Sequence, residues 1–95
     1  MVSSIKDNRN KSISSQEAVS LAMVEAGTMV RLVSVQGGRE LRSRLADMGL
    51  VPGTELRVIR NTGGPFIIAV KESRLALGRG MAQKILVALS ENENP

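Results

Sequence analysis

The stretch Leu41–Ile59, LRSRLADMGLVPGTELRVI, decides the fold because its local signals agree on a short helix that stops abruptly and turns into a strand. Leu41, Leu45 and Met48 recur at i, i+4 and i+7, so they share one face of an α-helix. Gly49 follows the last of them, at the position where a left-handed residue commonly ends a helix. The stretch therefore predicts a helix with one buried face that ends at Gly49.

A tight corner is predicted immediately after this helix. Pro52 has the φ that the second position of a turn requires, and Gly53 can adopt the positive φ that a type II turn requires next. Beyond the corner Leu56 and Val58 alternate with charged residues, a period of two that is typical of a strand with one buried face. A rigid turn thus joins the helix to a strand.

Working outward, the rest of the chain predicts short strands separated by glycine-rich turns. Five strands are expected: Met29–Val35, a strand from residue 55 to about 60, Phe66–Val70, a strand around Leu75 and Leu77, and Ile85–Leu89. The breaker cluster 61–65, which contains Gly64 and Pro65, predicts a hairpin loop, and residues 81–84 predict a single helical turn. Closing five short strands on themselves removes their exposed edges. We therefore expect a mainly β fold, a small SH3-like barrel with one inserted helix.

The segments on either side of the barrel differ in composition from it. Residues 1–13 are polar and predict a disordered tail, as do residues 91–95. Ser14 and Glu17 form a capping-box pattern, and apolar residues follow at helical spacing until Gly27, which predicts a helix over residues 14–27. This helix would dock on its own barrel, bind a partner or fray. The barrel itself is predicted to span residues 28–90.

Composition excludes several classes of function. The 95-residue chain has no cysteine and no histidine, which excludes disulfides, thiolate or Ser-His-Asp catalysis, and Cys/His metal sites. No apolar run approaches the length of a membrane-spanning helix, so we expect neither membrane insertion nor a secretory signal. Residues 28–90 carry ten basic and four acidic side chains. That excess favours an acidic partner, nucleic acid or a membrane surface, or else a solvated basic surface with no partner.

Motifs for nucleotide, metal and nucleic-acid binding are missing as well. The pattern around Gly78 and Gly80 lacks the third glycine of a dinucleotide fingerprint, and there is no P-loop sequence. Carboxylates alone are a weak ligand set for ferrous iron. Phe66 is the only aromatic residue, so neither base stacking nor a PxxP-binding groove is expected. We predict a non-enzymatic protein without cofactor or metal that acts through protein–protein contacts.

Charged residues on the predicted helix suggest where a partner binds. Glu40, Arg44 and Asp47 share one flank and can form i,i+3 and i,i+4 pairs. Arg39 and Arg42 lie on the other flank without an acidic neighbour, and Arg39 is near the positive end of the helix dipole. Arg39 and Arg42 are therefore predicted to contact acidic groups of a partner, the alternative being a solvated pair.

Three further residues are candidates for partner binding. Leu75 and Leu77 form either part of the core or a docking ridge on the fourth strand. Arg79, between two glycines, is the third, the alternative being a solvated surface residue; if the partner is a GTP-binding protein, as the family resemblance given below implies, Arg79 could supply an arginine to its GTPase site.

The landmark residues occur in an order that resembles a known family. They are Leu45–Gly53 (LADMGLVPG), Gly64-Pro65, Leu75–Gly78 (LALG) and Ile85–Val87 (ILV). Together they resemble the FeoA family, the small cytosolic component of bacterial ferrous iron uptake, over about residues 28–89. The resemblance implies an SH3-like barrel, a cytosolic location and association with FeoB, the transporter that carries a cytosolic GTP-binding domain.

Two aspects of the family resemblance leave alternatives open. Some members of the family have been linked to metal binding, but the histidines are missing in this chain. The barrel is also similar to the C-terminal module of iron-dependent repressors, which makes a regulatory module the second interpretation, although the chain has no room for a DNA-reading domain. A weak basic nucleic-acid-binding module is a third. Homo-oligomers are compatible with all three.

Overall fold

Antiparallel strands and two short helices make up residues 17–90, the part of the chain that the computed structural model describes. The elements in chain order are β1 (Val19–Ser20), a 3₁₀ turn (Leu21–Met23), β2 (Met29–Val35), α1 (Arg39–Asp47), β3 (Glu55–Arg60), β4 (Phe66–Val70), β5 (Ser73–Leu77), α2 (Arg79–Gln83) and β6 (Ile85–Leu89). The tails predicted for residues 1–13 and 91–95 lie outside the described residues.

All strands belong to one antiparallel sheet with the order β1-β6-β2-β3-β4-β5. The five predicted strands are all present, and the mainly β class is confirmed. The expected closure into a five-stranded barrel is wrong in one respect, because β1 and β5 are the two ends of the sheet and are not paired with each other. The chain leaves β5 directly into α2, and α2 packs against the 3₁₀ turn that follows β1. Helix packing therefore replaces strand pairing at this gap.

The helix predicted over residues 14–27 is not formed in its described part. Val19 and Ser20 instead pair with Val87 and Leu86 as strand β1, and the Ser20 hydroxyl accepts a hydrogen bond from the Ala22 amide at the start of the 3₁₀ turn. A short isolated helix is only marginally stable in water. Adding a strand to β6 and then turning places both Leu21 and Val24 in the core, where each is at most 1% exposed, so tertiary burial overrides the local helical pattern.

Helix α1 ends as the sequence predicts. Gly49 has a φ of +88°, its amide donates to the Ala46 carbonyl, and the Leu50 amide donates to the Leu45 carbonyl, both over 2.9 Å. This is the Schellman arrangement, in which the two residues after the helix bond back to its last turn. Leu45 and Leu50, the two positions between which this motif commonly has an apolar contact, are both buried in the same core cluster. Leu41 and Met48 pack against the core from the same face.

The corner after α1 is the predicted type II turn. Gly53 has a φ of +95°, and the Thr54 amide donates to the Val51 carbonyl over 3.0 Å. The turn is also bonded to β2, because the Gly53 amide donates to the Leu32 carbonyl over 2.8 Å. Residues 61–65 join β3 to β4 as the predicted hairpin loop, with positive φ at Gly63 and Gly64. The bond between the corner and β2 therefore sets where the chain leaves α1 and enters β3.

One apolar core lies inside the curved sheet and under α1. Its largest fully buried side chains are Phe66, Leu21, Leu32, Leu45, Leu50, Leu56, Ile68 and Ile85. They come from β2, β3, β4 and β6 together with α1 and the 3₁₀ turn, so nearly every element contributes to the same cluster. The outward-facing residues of the sheet and of α1 are what remain for contact with other molecules.

Candidate partner-binding surfaces

The exposed face of α1 carries the charged residues singled out by the sequence. A shallow depression runs along this face, lined by Arg39, Glu40, Ser43, Arg44 and Asp47. The placement of Arg39 on a flank without acids is therefore wrong, because it shares this depression with Glu40 and Asp47. Among residues 17–90 the structure contains no ion pair or hydrogen bond to the Arg39 side chain, so its guanidinium is free to meet an acidic group.

Arg42, which the sequence analysis placed beside Arg39 as a second partner-binding residue, has a local structural role. The Arg42 guanidinium donates to the Gly37 carbonyl over 3.0 Å. This bond ties α1 to the loop that precedes it, where Gly38 is an N-cap without a side-chain hydrogen bond. Arg39 and Arg42 thus do not form one patch of two equivalent free charges. Contact of either residue with a partner stays a prediction, and Arg39 is the better placed of the two.

The two leucines of β5 separate into different environments. Leu77 is 4% exposed and belongs to the core, which excludes it from a docking ridge. Leu75 is partly buried and packs against the same cluster. Alternation along the strand points both inward, while Arg74 and Ala76 lie exposed on the opposite face. Any contact that a partner makes with β5 therefore involves its edge or its outer face.

Arg79 anchors the first turn of α2 to the loop after β3. Its guanidinium donates to the Asn61 side-chain oxygen over 2.8 Å and also to the Asn61 backbone carbonyl. The same guanidinium lies 5.7 Å from the centre of the Phe66 ring, within the range of a cation–π contact. These contacts give Arg79 a structural role, and its action on a GTPase stays a prediction that none of them supports.

Asn61 is the residue of this region that sequence reasoning missed. Its side-chain amide donates to the carbonyls of Ala22 and Val24, at 3.3 and 2.5 Å, while its oxygen accepts from Arg79. We call Asn61, Arg79 and these two carbonyls the Asn61–Arg79 cluster. It links the segment after β1 to the start of α2 across the unpaired gap in the sheet. The local sequence gave no signal for it, because an asparagine before Thr-Gly-Gly is typical of any turn.

A second basic region lies on the outer face of the sheet. An open groove on this face is lined by Arg31, Arg57 and Lys71, together with Glu55 and the corner residues 51–54. Arg57 donates to the Gly27 carbonyl over 2.8 Å, and the Ser90 hydroxyl donates to Glu55 over 2.8 Å. The alternation along β3 predicted that Glu55 and Arg57 lie opposite the buried leucine and valine, and strand register places Arg31 beside Glu55 and Ala69 beside Arg57.

The environment of Phe66 bears on nucleic-acid binding. Its side chain is fully buried, so the single aromatic ring of the chain is not available to stack on a base.

In residues 17–90 no three carboxylates, histidines or cysteines lie close enough together to hold a metal ion. No helix within that range is long and apolar enough to cross a membrane.

Comparison with known proteins identifies the family. The FeoA domain model matches residues 19–89, a span that begins at β1 and ends with β6. The "Putative Fe(2+) transport protein A" of Methanocaldococcus jannaschii is 42% identical over 71 residues, which cover 75% of this chain and 87% of that protein.

Solved structures show the same relationship at the level of the fold. The crystal structure of an iron uptake regulatory protein, FeoA, has a TM-score of 0.69 at 35% identity and covers 75% of this chain and 95% of that one. A manganese-dependent transcriptional repressor has a TM-score of 0.70, but at 21% identity and over 42% of its own chain, so it shares the fold alone. With a family model that spans the whole described sheet and a relative at 42% identity, this chain belongs to the FeoA domain family.

Proposed function

We propose that this protein is a non-enzymatic accessory protein of ferrous iron transport that binds the cytosolic GTP-binding domain of the FeoB transporter. Membership of the FeoA family supports the transport role. The single observation that carries the binding role is Arg39, an exposed guanidinium without a polar contact in the described part of the chain, at the N-terminal end of α1. A cation at this end of a helix is disfavoured by the helix dipole, and an acidic group on a partner removes that cost.

The residue types of the chain support a role without catalysis. It contains no cysteine or histidine, and its sequence has no phosphate-binding loop. The GTP-binding partner would supply the nucleotide chemistry, and this protein would act on the cytosolic side of the membrane by contact alone.

Binding of the purified cytosolic domain of FeoB to this protein tests the proposal. We expect Arg39→Glu to weaken the complex about tenfold, because one attractive charge pair becomes repulsive. Lys84→Glu is the matched control, since it makes the same change of charge at another exposed site. Raised salt should weaken the wild-type complex and have less effect on Arg39→Glu. Equal losses for the two variants would show that only net charge matters and would overturn the role of Arg39.

A second candidate is a regulatory module that binds a DNA-binding protein, since the same fold occurs in a manganese-dependent transcriptional repressor. Co-purification from cells with and without the FeoB cytosolic domain separates the two. Recovery of that domain supports the transport role, whereas recovery of a DNA-binding protein in its absence supports the regulatory one.

A further inference from the structure

Strand β5 (Ser73–Leu77) is one end of the sheet. It pairs with β4 along its whole length, from Phe66 with Leu77 to Val70 with Ser73. No other strand within residues 17–90 lies against its second edge. Ser73, Arg74 and Ala76 are exposed, so the edge is not covered by side chains packed over it.

The hairpin between β4 and β5 decides which backbone groups face outward. Its loop has two residues, Lys71 and Glu72, and Lys71 has a positive φ of +56°, as the first central residue of a two-residue hairpin turn requires. In such a hairpin the flanking pair, Val70 and Ser73, exchanges the turn hydrogen bonds. Hydrogen-bonded and non-hydrogen-bonded pairs then alternate along the ladder. The backbone N–H and C=O groups of Ser73, Leu75 and Leu77 therefore point to β4, and those of Arg74 and Ala76 point away from the sheet.

These outward groups form the pattern that an added strand requires. Arg74 and Ala76 each present one donor and one acceptor, two residues apart along an extended backbone. Proteins usually protect such an edge with proline, a bulge, a cover or charged side chains, and of these β5 carries the charge of the exposed Arg74. Strand β5 contains no proline, and its register with β4 has no irregularity.

The charged side chains near this edge determine which kind of added strand is electrostatically complementary to it. Lys71 and Arg74 lie in the turn and on the strand, with Glu72 as the one acid within residues 71–77. The Arg74 side chain is on the outer face, in the row that continues through Ala69 and Arg57. A second copy of β5 would bring the same basic groups together, which disfavours self-pairing. An extended segment with carboxylates is electrostatically complementary.

We infer that the free edge of β5 binds an extended acidic segment of a partner protein as a further strand of the sheet. This inference rests on the proposed function, because we take the partner to be the cytosolic domain of the FeoB transporter. The added strand hydrogen-bonds to Arg74 and Ala76, and its acidic side chain lies on the outer face opposite Arg74.

Amide hydrogen exchange measured by NMR tests this directly, with the purified cytosolic domain of FeoB as the probe. In the free protein we expect the amides of Arg74 and Ala76 to exchange quickly and those of Ser73, Leu75 and Leu77 to be protected by β4. Binding should slow exchange at Arg74 and Ala76 at least tenfold more than at exposed amides elsewhere. Protection at these two positions supports strand addition, and a complex that leaves them unprotected overturns it while the proposed function stands. Absence of any complex overturns both.

Substitutions at Ala76 separate backbone pairing from general surface contact. Ala76→Pro removes one outward N–H and no bond to β4, so it should keep the fold and weaken binding at least tenfold. Ala76→Val keeps the N–H and favours a strand, so its binding should match wild type. Arg74→Glu should weaken binding by a similar factor. Equal binding by the proline and valine variants, both checked for fold by NMR, would overturn the inference.

A second copy of the protein or its own C-terminal residues could occupy this edge instead of a partner segment. Amide exchange in the free protein distinguishes these two alternatives. Protection of Arg74 and Ala76 that rises with protein concentration would identify a second copy. Protection that is independent of concentration and is lost when residues 91–95 are removed would identify the acidic end of this chain. Either result would overturn binding of a partner segment.

Discussion

At the scale of single residues, two glycines have opposite conformational requirements although both occur in or beside helices. Gly49 has a φ of +88° at the end of α1, whereas Gly80 lies within α2 and has no positive φ. A Cβ at either position would meet no atom within 4 Å. A difference in stability between alanine substitutions at the two positions therefore reflects backbone conformation and not steric contact.

We expect Gly49→Ala and Gly80→Ala to change stability in opposite directions. A left-handed conformation costs an L-residue about 1–2 kcal/mol, so Gly49→Ala should lower the free energy of unfolding by about that amount. Alanine within a helix is favoured over glycine by about 0.5–1 kcal/mol, so Gly80→Ala should raise it. Urea denaturation measures both. A Gly49→Ala protein as stable as wild type would contradict the Schellman ending of α1.

The Asn61–Arg79 cluster is also a single-residue feature with an effect on distant segments. Asn61→Ala removes two donors from the Ala22 and Val24 carbonyls and one acceptor from Arg79. We expect a loss of about 1–3 kcal/mol, because partly buried polar groups lose their partners. Thr62→Ala, at the exposed neighbour, is the control. Hydrogen exchange should become faster at β1 in Asn61→Ala, and an unchanged rate there would show that the cluster does not hold this segment.

At the scale of the elements, β5 combines an inward row, an outward row and a free edge within five residues. The local sequence predicts the alternation but not the depth of each side chain. Leu77 is next to α2 and Phe66 and becomes core, whereas Leu75 lies nearer the hairpin turn and is only partly buried. The interpretation of both leucines as one docking ridge fails for this reason.

Lysine substitutions measure that difference. Leu77→Lys places an unpaired charge in the core, and we expect it to destabilise the protein by about 3 kcal/mol or more. Leu75→Lys should cost less, because a lysine stem can cover apolar surface while its ammonium reaches water. Thermal melts of the two variants give the comparison. Equal melting temperatures would contradict the different burial of the two positions.

At the scale of the whole molecule, the chain offers a basic, largely β surface and few ligands for metals. It has no histidine or cysteine, and no three acidic residues in the described part of the sequence gather at one point. We therefore expect calorimetric titration with ferrous iron to detect no stoichiometric site tighter than roughly 1 µM. A stoichiometric site below that value would show that carboxylate and backbone oxygens suffice in this family member.

By itself the sequence determined the mainly β class, the five strands β2 to β6, the end of α1 at Gly49 and the corner at Pro52 and Gly53. Each of these follows from local chemistry, because hydrophobic period, positive φ and the geometry of proline act within a few residues. The tertiary structure alone decided that residues 19–23 form a strand and a turn, that Asn61 bridges the gap in the sheet, and that β5 keeps a free edge. These outcomes depend on contacts between residues 18 to 68 positions apart, such as Arg79 with Asn61 and Val19 with Val87, for which a local pattern carries no signal.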